Sequence, residues 1–128
     1  QEVDHYEDWF IPKLSGFGMS GIYARKPVSP AGNESNLNDG CVIFFSNEKF
    51  HLLSSRIINY TLTAVEEEVH ITITNQSGII TVLKSYLLEK RLLIAATTHL
   101  KATKDQEGED VRAVQITQLL SEIESVKG

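Results

Sequence analysis

Four titratable side chains stand where this sequence could do phosphate chemistry: Glu2, Lys26, His99 and Lys101. His99 and Lys101 follow the apolar run Leu92 to Ala96 and precede a polar, charged stretch, so they lie at or beyond the exit of a buried strand. There they could neutralise a substrate phosphate and stabilise charge developing on it in the transition state. The plainer alternative is a histidine hydrogen-bonded to structure beside a solvated lysine. Lys26 follows Arg25 at the mouth of a long loop, where two cations could meet phosphate or could end a strand as an ordinary solvated pair. Glu2 precedes a helix cap. If it closes a strand whose body lies upstream, its carboxylate projects from a strand terminus and suits a hard cation such as Mg2+; otherwise it is an exposed glutamate. One carboxylate makes no metal site by itself.

The elements that must position these residues can be read from the periodicity. Asp4 suits an N-cap with Glu7 as its capping-box partner, and Tyr6, Trp9, Phe10 and Leu14 fall on one helical face. Pro12 interrupts that pattern, which predicts a kink or restart and an end near residues 15–18. Residues 21–25 read as a short strand, and residues 26–39 as a long surface loop rich in Pro, Gly and Asn. Cys41 to Phe45 and Leu92 to Ala96 are continuous apolar runs, the pattern of central strands covered on both faces. Val69 to Thr74 alternates and should be peripheral. Residues 50–63 and 79–88 add further strands, with turn chemistry expected at Asn75 to Gly78. The last segment changes period: Ile116, Leu119, Leu120, Ile123 and Val126 follow helical spacing, with Glu109 and Asp110 near the start. A helix, at least five strands and a second helix spell a layered α/β or α+β domain.

Composition narrows the classes. The 128 residues are 41% hydrophobic, enough for one compact core. The longest apolar runs are five residues, far short of the roughly 20 that a membrane-spanning helix needs. A formal net charge of -5 argues against coating nucleic acid by bulk electrostatics, so any polyanion must be met in a local basic pocket. The single cysteine, Cys41, excludes an internal disulfide and a cysteine-rich zinc cage. No glycine-rich phosphate loop, His-x-x-x-His pair or G-x-S-x-G elbow occurs. The chain opens on Gln1 and carries its one methionine at position 19, so the natural start is expected upstream, together with any targeting segment.

Four motifs occur in order: Gln1-Glu2-Val3-Asp4-His5-Tyr6, Lys26-Pro27-Val28-Ser29-Pro30, Asp39-Gly40-Cys41-Val42-Ile43-Phe44-Phe45 and Thr98-His99-Leu100-Lys101-Ala102. Together they resemble the nocturnin family and, more broadly, the carbon-catabolite-repressor-type deadenylases of the endonuclease/exonuclease/phosphatase superfamily. The resemblance runs from Gln1 through Arg112-x-x-Gln115, almost the whole chain. It implies a four-layer α/β sandwich, two face-to-face β-sheets with flanking helices, in which Mg2+ supports hydrolysis of a phosphate ester by an activated water. Glu2 would bind the metal, His99 would contact the reacting phosphate, and Lys26 and Lys101 would hold substrate phosphates. The implied substrate contains adenine, either the 3' end of poly(A) RNA or the 2'-phosphate of NADP(H). Protein partners in mRNA turnover and an intracellular location, cytoplasmic or mitochondrial, are part of the same expectation, and no membrane association is expected.

The family has an arginine two positions after the lysine of its Thr-His-Leu-Lys motif. Thr103 stands there in this chain, followed by an acidic stretch with Asp105, Glu107, Glu109 and Asp110. Threonine lacks the planar fork with which arginine grips phosphate. Further metal-binding and catalytic segments of the family have no counterpart within residues 1–128, which therefore read as a single incomplete catalytic domain, a middle section. The alternative to an enzyme is a non-catalytic binding or adaptor protein that retains the fold, for which Thr103 is the supporting feature.

Overall fold

The computed structural model describes residues 5–26, 40–65, 68–89 and 91–127. The first described segment begins at His5, whose left-handed backbone (φ 51°) turns the chain into a single π-helical turn, Tyr6–Phe10. The His5 carbonyl accepts the amides of Trp9 and Phe10 at 3.0 and 3.1 Å. Helix α1 (Ile11–Ser15) then restarts with Pro12 in its first turn, where the missing N–H is no loss. The expected interruption at Pro12 is thus a restart. The expected cap, Asp4, lies outside the described residues. The wide π turn also changes which side chains share a face: Tyr6, Phe10 and Leu14 are partly buried, whereas Trp9 is exposed.

Strand β1 (Met19–Arg25) pairs antiparallel with β2 (Gly40–Ser46), from Met19 opposite Ser46 to Arg25 opposite Gly40. A second antiparallel sheet has the order β3-β4-β5, formed by Phe50–Val65, Val69–Ser85 and Leu92–Thr98. Helix α2 spans Gln106–Lys127. Alternation along β4 explains the layering. Ile79 packs with Ala24 and Cys41 of the first sheet, while Ile80 packs with Ile58, Tyr60 and Leu119 of α2 on the other face. On the outer face of the first sheet, Tyr6 stacks on Tyr23 with ring centroids 4.5 Å apart, and Phe10 lies against Phe44. The order is therefore helix, sheet, sheet, helix, the four layers expected.

Three local expectations are corrected. Leu92 to Ala96 is not a doubly covered central strand: among the described residues β5 pairs only with β4, and Leu92 and Leu93 are exposed. The central strand is β4, whose buried stretch Ile79, Ile80, Thr81 and Leu83 has neighbours on both edges. Asn75 to Gly78 is not a turn either. β4 runs straight through it, opposite a register shift between Asn59 and Thr61, and the Thr74 hydroxyl bonds the Tyr60 carbonyl at 3.0 Å. Turn-forming residues here serve a β-bulge. In α2, Leu119, Ile123 and Val126 face the core as expected, but Ile116 and Leu120 are exposed. Cys41 to Phe45 is covered on both faces: Cys41 lies against the second sheet and Phe44 under Tyr6 and Phe10. The peripheral reading of Val69 to Thr74 holds in that Val69 and Ile71 are exposed. Of the long loop, only Lys26 is among the described residues. Among those residues no helix is long and apolar enough to cross a membrane.

Candidate functional site

At the exit of β5 the backbone is held by one acceptor. The Ser77 carbonyl of β4 accepts the His99 amide at 3.1 Å and the Thr98 hydroxyl at 3.3 Å, and the Cys41 thiol of β2 approaches the same oxygen at 3.8 Å. Behind it, the fully buried Tyr60 of β3 hydrogen-bonds its hydroxyl to Thr98 Oγ1. Burial raises the Tyr60 phenol above its ordinary value, opposed by the bond to Thr98. The adjacent position must be glycine. A Cβ on Gly78 would sit 2.9 Å from the Tyr60 hydroxyl and 3.2 Å from both the Thr97 carbonyl and Thr98 Oγ1.

His99 emerges from this anchor partly buried, with Nδ1 out of contact with solvent. Two residues later the chain meets α2. The Gln115 Oε1 accepts the Lys101 amide at 2.9 Å, and the Arg112 guanidinium donates to the Lys101 carbonyl at 2.8 Å and also to the Thr103 carbonyl. Asp105 caps α2 by accepting the Gly108 amide at 2.8 Å. Gly108 is required by the same loop, since a Cβ there would come within 2.2 Å of the Thr103 carbonyl oxygen. Lys101 lines a cavity of about 360 Å³ shared with Gln76, Thr103, Asp105 and Glu107. The predicted cation therefore has two carboxylates in the same hollow.

Lys26 is partly buried and follows directly on β1. Ala24, two residues earlier, faces Cys41 across the ladder, and Cys41 reaches the Ser77 carbonyl that anchors His99. The end of β1 and the exit of β5 consequently share one end of the molecule, bringing the elements that carry Lys26, His99 and Lys101 together. A second hollow of about 310 Å³ at the end of β1 is lined by His5, Tyr6, Glu7, Asp8, Tyr23 and Arg25. The hydrogen bond from His5 holds the Asp8 carboxyl below its usual range.

Glu2, the expected metal ligand and catalytic carboxylate, lies outside the described residues. Among the described residues no three His, Cys, Asp or Glu side chains stand close enough to hold a metal ion. Those donors do not make a Mg2+ site on their own. Sequence reasoning gave no role to Ser77, Tyr60, Arg112 and Gln115, which hold the loop, although Arg112-x-x-Gln115 closes the stretch of resemblance. Gln115 carried a signal: it lies four residues before Leu119, on the buried stripe of α2, and is fully buried itself. A buried carboxamide needs partners for both ends.

Comparison with known proteins agrees with this arrangement. No protein-family model matches the chain. Mouse nocturnin is 36% identical over 128 residues, covering 98% of this chain and 28% of its own length. The CCR4-Not complex 3'-5'-exoribonuclease subunit Ccr4 of Mycosarcoma maydis is 26% identical, covering 95% of this chain and 19% of its own length. Among solved structures, the human nocturnin catalytic domain with bound sulfate anion superposes with a TM-score of 0.73 at 36% identity, over 96% of this chain and 44% of that one. ANGEL2, a 2',3'-cyclic phosphatase, in complex with adenosine-2',3'-vanadate, superposes with a TM-score of 0.76 at 25% identity, over 98% of this chain and 33% of that one. The chain thus spans under a third of the length of the curated relatives it matches. With the four-layer arrangement and the ordered motifs, these likenesses show that the chain belongs with the nocturnin and CCR4-type proteins of the endonuclease/exonuclease/phosphatase superfamily.

Proposed function

We propose that the protein carrying this chain hydrolyses a phosphate ester of an adenine-containing substrate, with the 3' end of poly(A) RNA as the substrate class that the site fits best. The carrying observation is the loop at the exit of β5, where His99 and Lys101 are held by bonds to β4 and α2 at the end of the molecule where β1 delivers Lys26. In this reading His99 contacts the reacting phosphate and stabilises the charge that builds on its oxygens. Lys101 and Lys26 hold substrate phosphates in ground and transition states alike. Asp105 and Glu107 share the Lys101 cavity, so its lining sets two carboxylates against one ammonium and carries no excess of positive charge. Such a hollow suits a singly charged phosphodiester better than the terminal dianion of a 2'-phosphate. The relatives support the chemistry: Ccr4 is a 3'-5'-exoribonuclease subunit, and ANGEL2 is a cyclic phosphatase seen with an adenosine vanadate.

Glu2 is proposed as one ligand of a Mg2+ ion whose other ligands come from parts of the protein beyond this chain. The metal would supply charge neutralisation at the phosphate. The test is hydrolysis by the full-length protein of poly(A) RNA and of NADP(H), each with Mg2+ and with EDTA. The expected result is metal-dependent release of nucleotide from RNA, faster than phosphate release from the dinucleotide. Glu2→Gln should lower kcat by orders of magnitude while keeping much of the substrate affinity, because neutral glutamine replaces an anionic ligand poorly. No metal-dependent product from either substrate would leave the binding or adaptor reading in place of the enzyme, and full activity in Glu2→Gln would remove the role given to that residue. Assembly with proteins of mRNA turnover belongs to the same proposal, following the Ccr4 relative.

A further inference from the structure

We infer that Gln115 and Arg112 are positioning residues that set where the Lys101 ammonium is presented to substrate, by clasping the Lys101 peptide unit from both sides. Gln115 Oε1 accepts the Lys101 amide at 2.9 Å, and Arg112 donates to the Lys101 carbonyl at 2.8 Å. Lys101 lies in irregular chain between β5 and α2, where no ladder or helix would otherwise hold its backbone. Both clasping residues are themselves braced. Gln115 is fully buried, and its Nε2 donates to Gln76 Oε1 of β4 at 2.9 Å. Arg112 is paired with Glu109 at 2.8 Å and also donates to the Thr103 carbonyl. The carboxamide thus works as a spacer with one end on β4 and the other on the loop. Neither residue is assigned a contact with substrate. Their effect passes through Lys101, so the inference rests on the phosphate-binding role proposed for that residue.

The same helix supplies an internal control. Gln118, three residues on, makes an equivalent pair of bonds, its Oε1 accepting the Thr61 amide and its Nε2 donating to the Thr61 carbonyl. That clasp holds β3, not the loop. If α2 only stabilised the fold, losing either glutamine would have the same consequence. If Gln115 positions Lys101, the two must differ.

The experiment compares Gln115→Leu, Gln118→Leu and Lys101→Ala, and the double variant of Gln115 and Lys101, in the full-length protein. Thermal unfolding and Mg2+-dependent hydrolysis of poly(A) RNA are measured for each. Misplacing a contacting group by about 1 Å costs on the order of 100-fold in rate, so Gln115→Leu should lower kcat/KM by about that factor. In the Lys101→Ala background the same change should cost only a few-fold, because the group it positions is gone. Gln118→Leu should lower the melting temperature comparably while keeping kcat/KM within about two-fold, as expected of a change that touches no reacting group. Arg112→Lys, which keeps the charge but lacks the planar fork that pairs with Glu109 through one nitrogen while the other holds the two carbonyls, carries the same cycle if Gln115→Leu fails to fold. Additive effects of Gln115→Leu and Lys101→Ala, or equal loss of activity in the two glutamine variants, would overturn the positioning role and leave that of Lys101 standing. Unchanged kcat/KM in Lys101→Ala would overturn both.

Discussion

Tyr60→Phe removes a single oxygen from the best-shielded part of the fold, and its cost can be worked out from where the hydrogens must be. The Thr98 hydroxyl donates to the Ser77 carbonyl, so its proton is committed and the Tyr60 hydroxyl must donate to Thr98 Oγ1. Deleting the phenol oxygen leaves Thr98 with its own donor bond and one idle lone pair, a loss of about 1 kcal/mol. Thr98→Val acts on the same bond from the other end and strands a fully buried O–H without an acceptor, which costs about 1–3 kcal/mol. Thr98→Val should therefore be the more damaging change, and the double variant should lose about 1 kcal/mol less than the sum. Urea unfolding of the intact protein at pH 7 measures all three. Alkali gives an independent arm. Burial raises the folded-state pKa of Tyr60, so the unfolded chain ionises first; the stabilisation is whole below about pH 10 and is lost as pH rises through the folded value. Tyr6 is raised too, by burial and by Glu7, and stays in both proteins. The wild type should consequently lose more stability than Tyr60→Phe between pH 9 and 11. Strict additivity of the two substitutions at pH 7, or a Tyr60→Phe as damaging as Thr98→Val, would refute the proton assignment, and parallel alkaline profiles would refute the raised folded-state value of Tyr60.

Two further outcomes follow from the two ends of β5. Thr103→Arg returns a guanidinium to the position where the family has one, but Asp105 and Glu107 line the same cavity; the gain on a terminal 2'-phosphate, read as the ratio of kcat/KM for NADP(H) to that for poly(A), should be larger when both carboxylates are also changed to amides, and an equal gain without those changes would show that the acidic stretch does not reach the site. A polypeptide of residues 1–128 alone exposes Leu87, Leu88, Leu92 and Leu93 around an open, mostly apolar hollow of about 550 Å³, so it should bind a hydrophobic dye and self-associate in size-exclusion chromatography; a dye-silent monomer with one cooperative unfolding transition would contradict this.

What the sequence made legible was what depends on local pattern. Pro12 marks a restart whatever packs around it, and the α2 stripe was visible because helical period survives in Leu119, Ile123 and Val126. Strand order was not legible. Leu92 to Ala96 is the more continuously apolar run and β4 is broken by polar residues, yet β4 lies centrally, because that depends on pairing partners that hydrophobicity does not encode. The turn expected at Asn75 to Gly78 failed for a related reason: the same small polar residues serve a bulge, and only the opposing strand decides between bulge and turn. Within the candidate site, His99 and Lys101 could be found from their position after an apolar strand. Of their supports only Gln115 left a signal, on the buried stripe of α2; Ser77 acts through its backbone carbonyl, and any residue type offers one.

That anonymity of the Ser77 carbonyl has a physical consequence for the site. Three donors from two stretches of chain, the exit of β5 and β2, approach one oxygen: the His99 amide, the Thr98 hydroxyl and, more distantly, the Cys41 thiol. A carbonyl has two lone pairs, so the two shorter bonds saturate it and the thiol at 3.8 Å contributes packing more than hydrogen bonding. Cys41 is buried against Ala24 and Ile79, and with them it sets the spacing between the two sheets at this level. Gly78, next along β4, leaves no room for a side chain between Tyr60 and Thr98. The exit of β5 is thus defined by a backbone atom, a glycine and a small thiol, all of which tolerate almost no change in separation. Placement of the loop on β4 follows from the packing of the first sheet as much as from the residues of the loop, and a core substitution at Cys41, remote from any phosphate, acts on the same His99 anchor that the proposed chemistry requires.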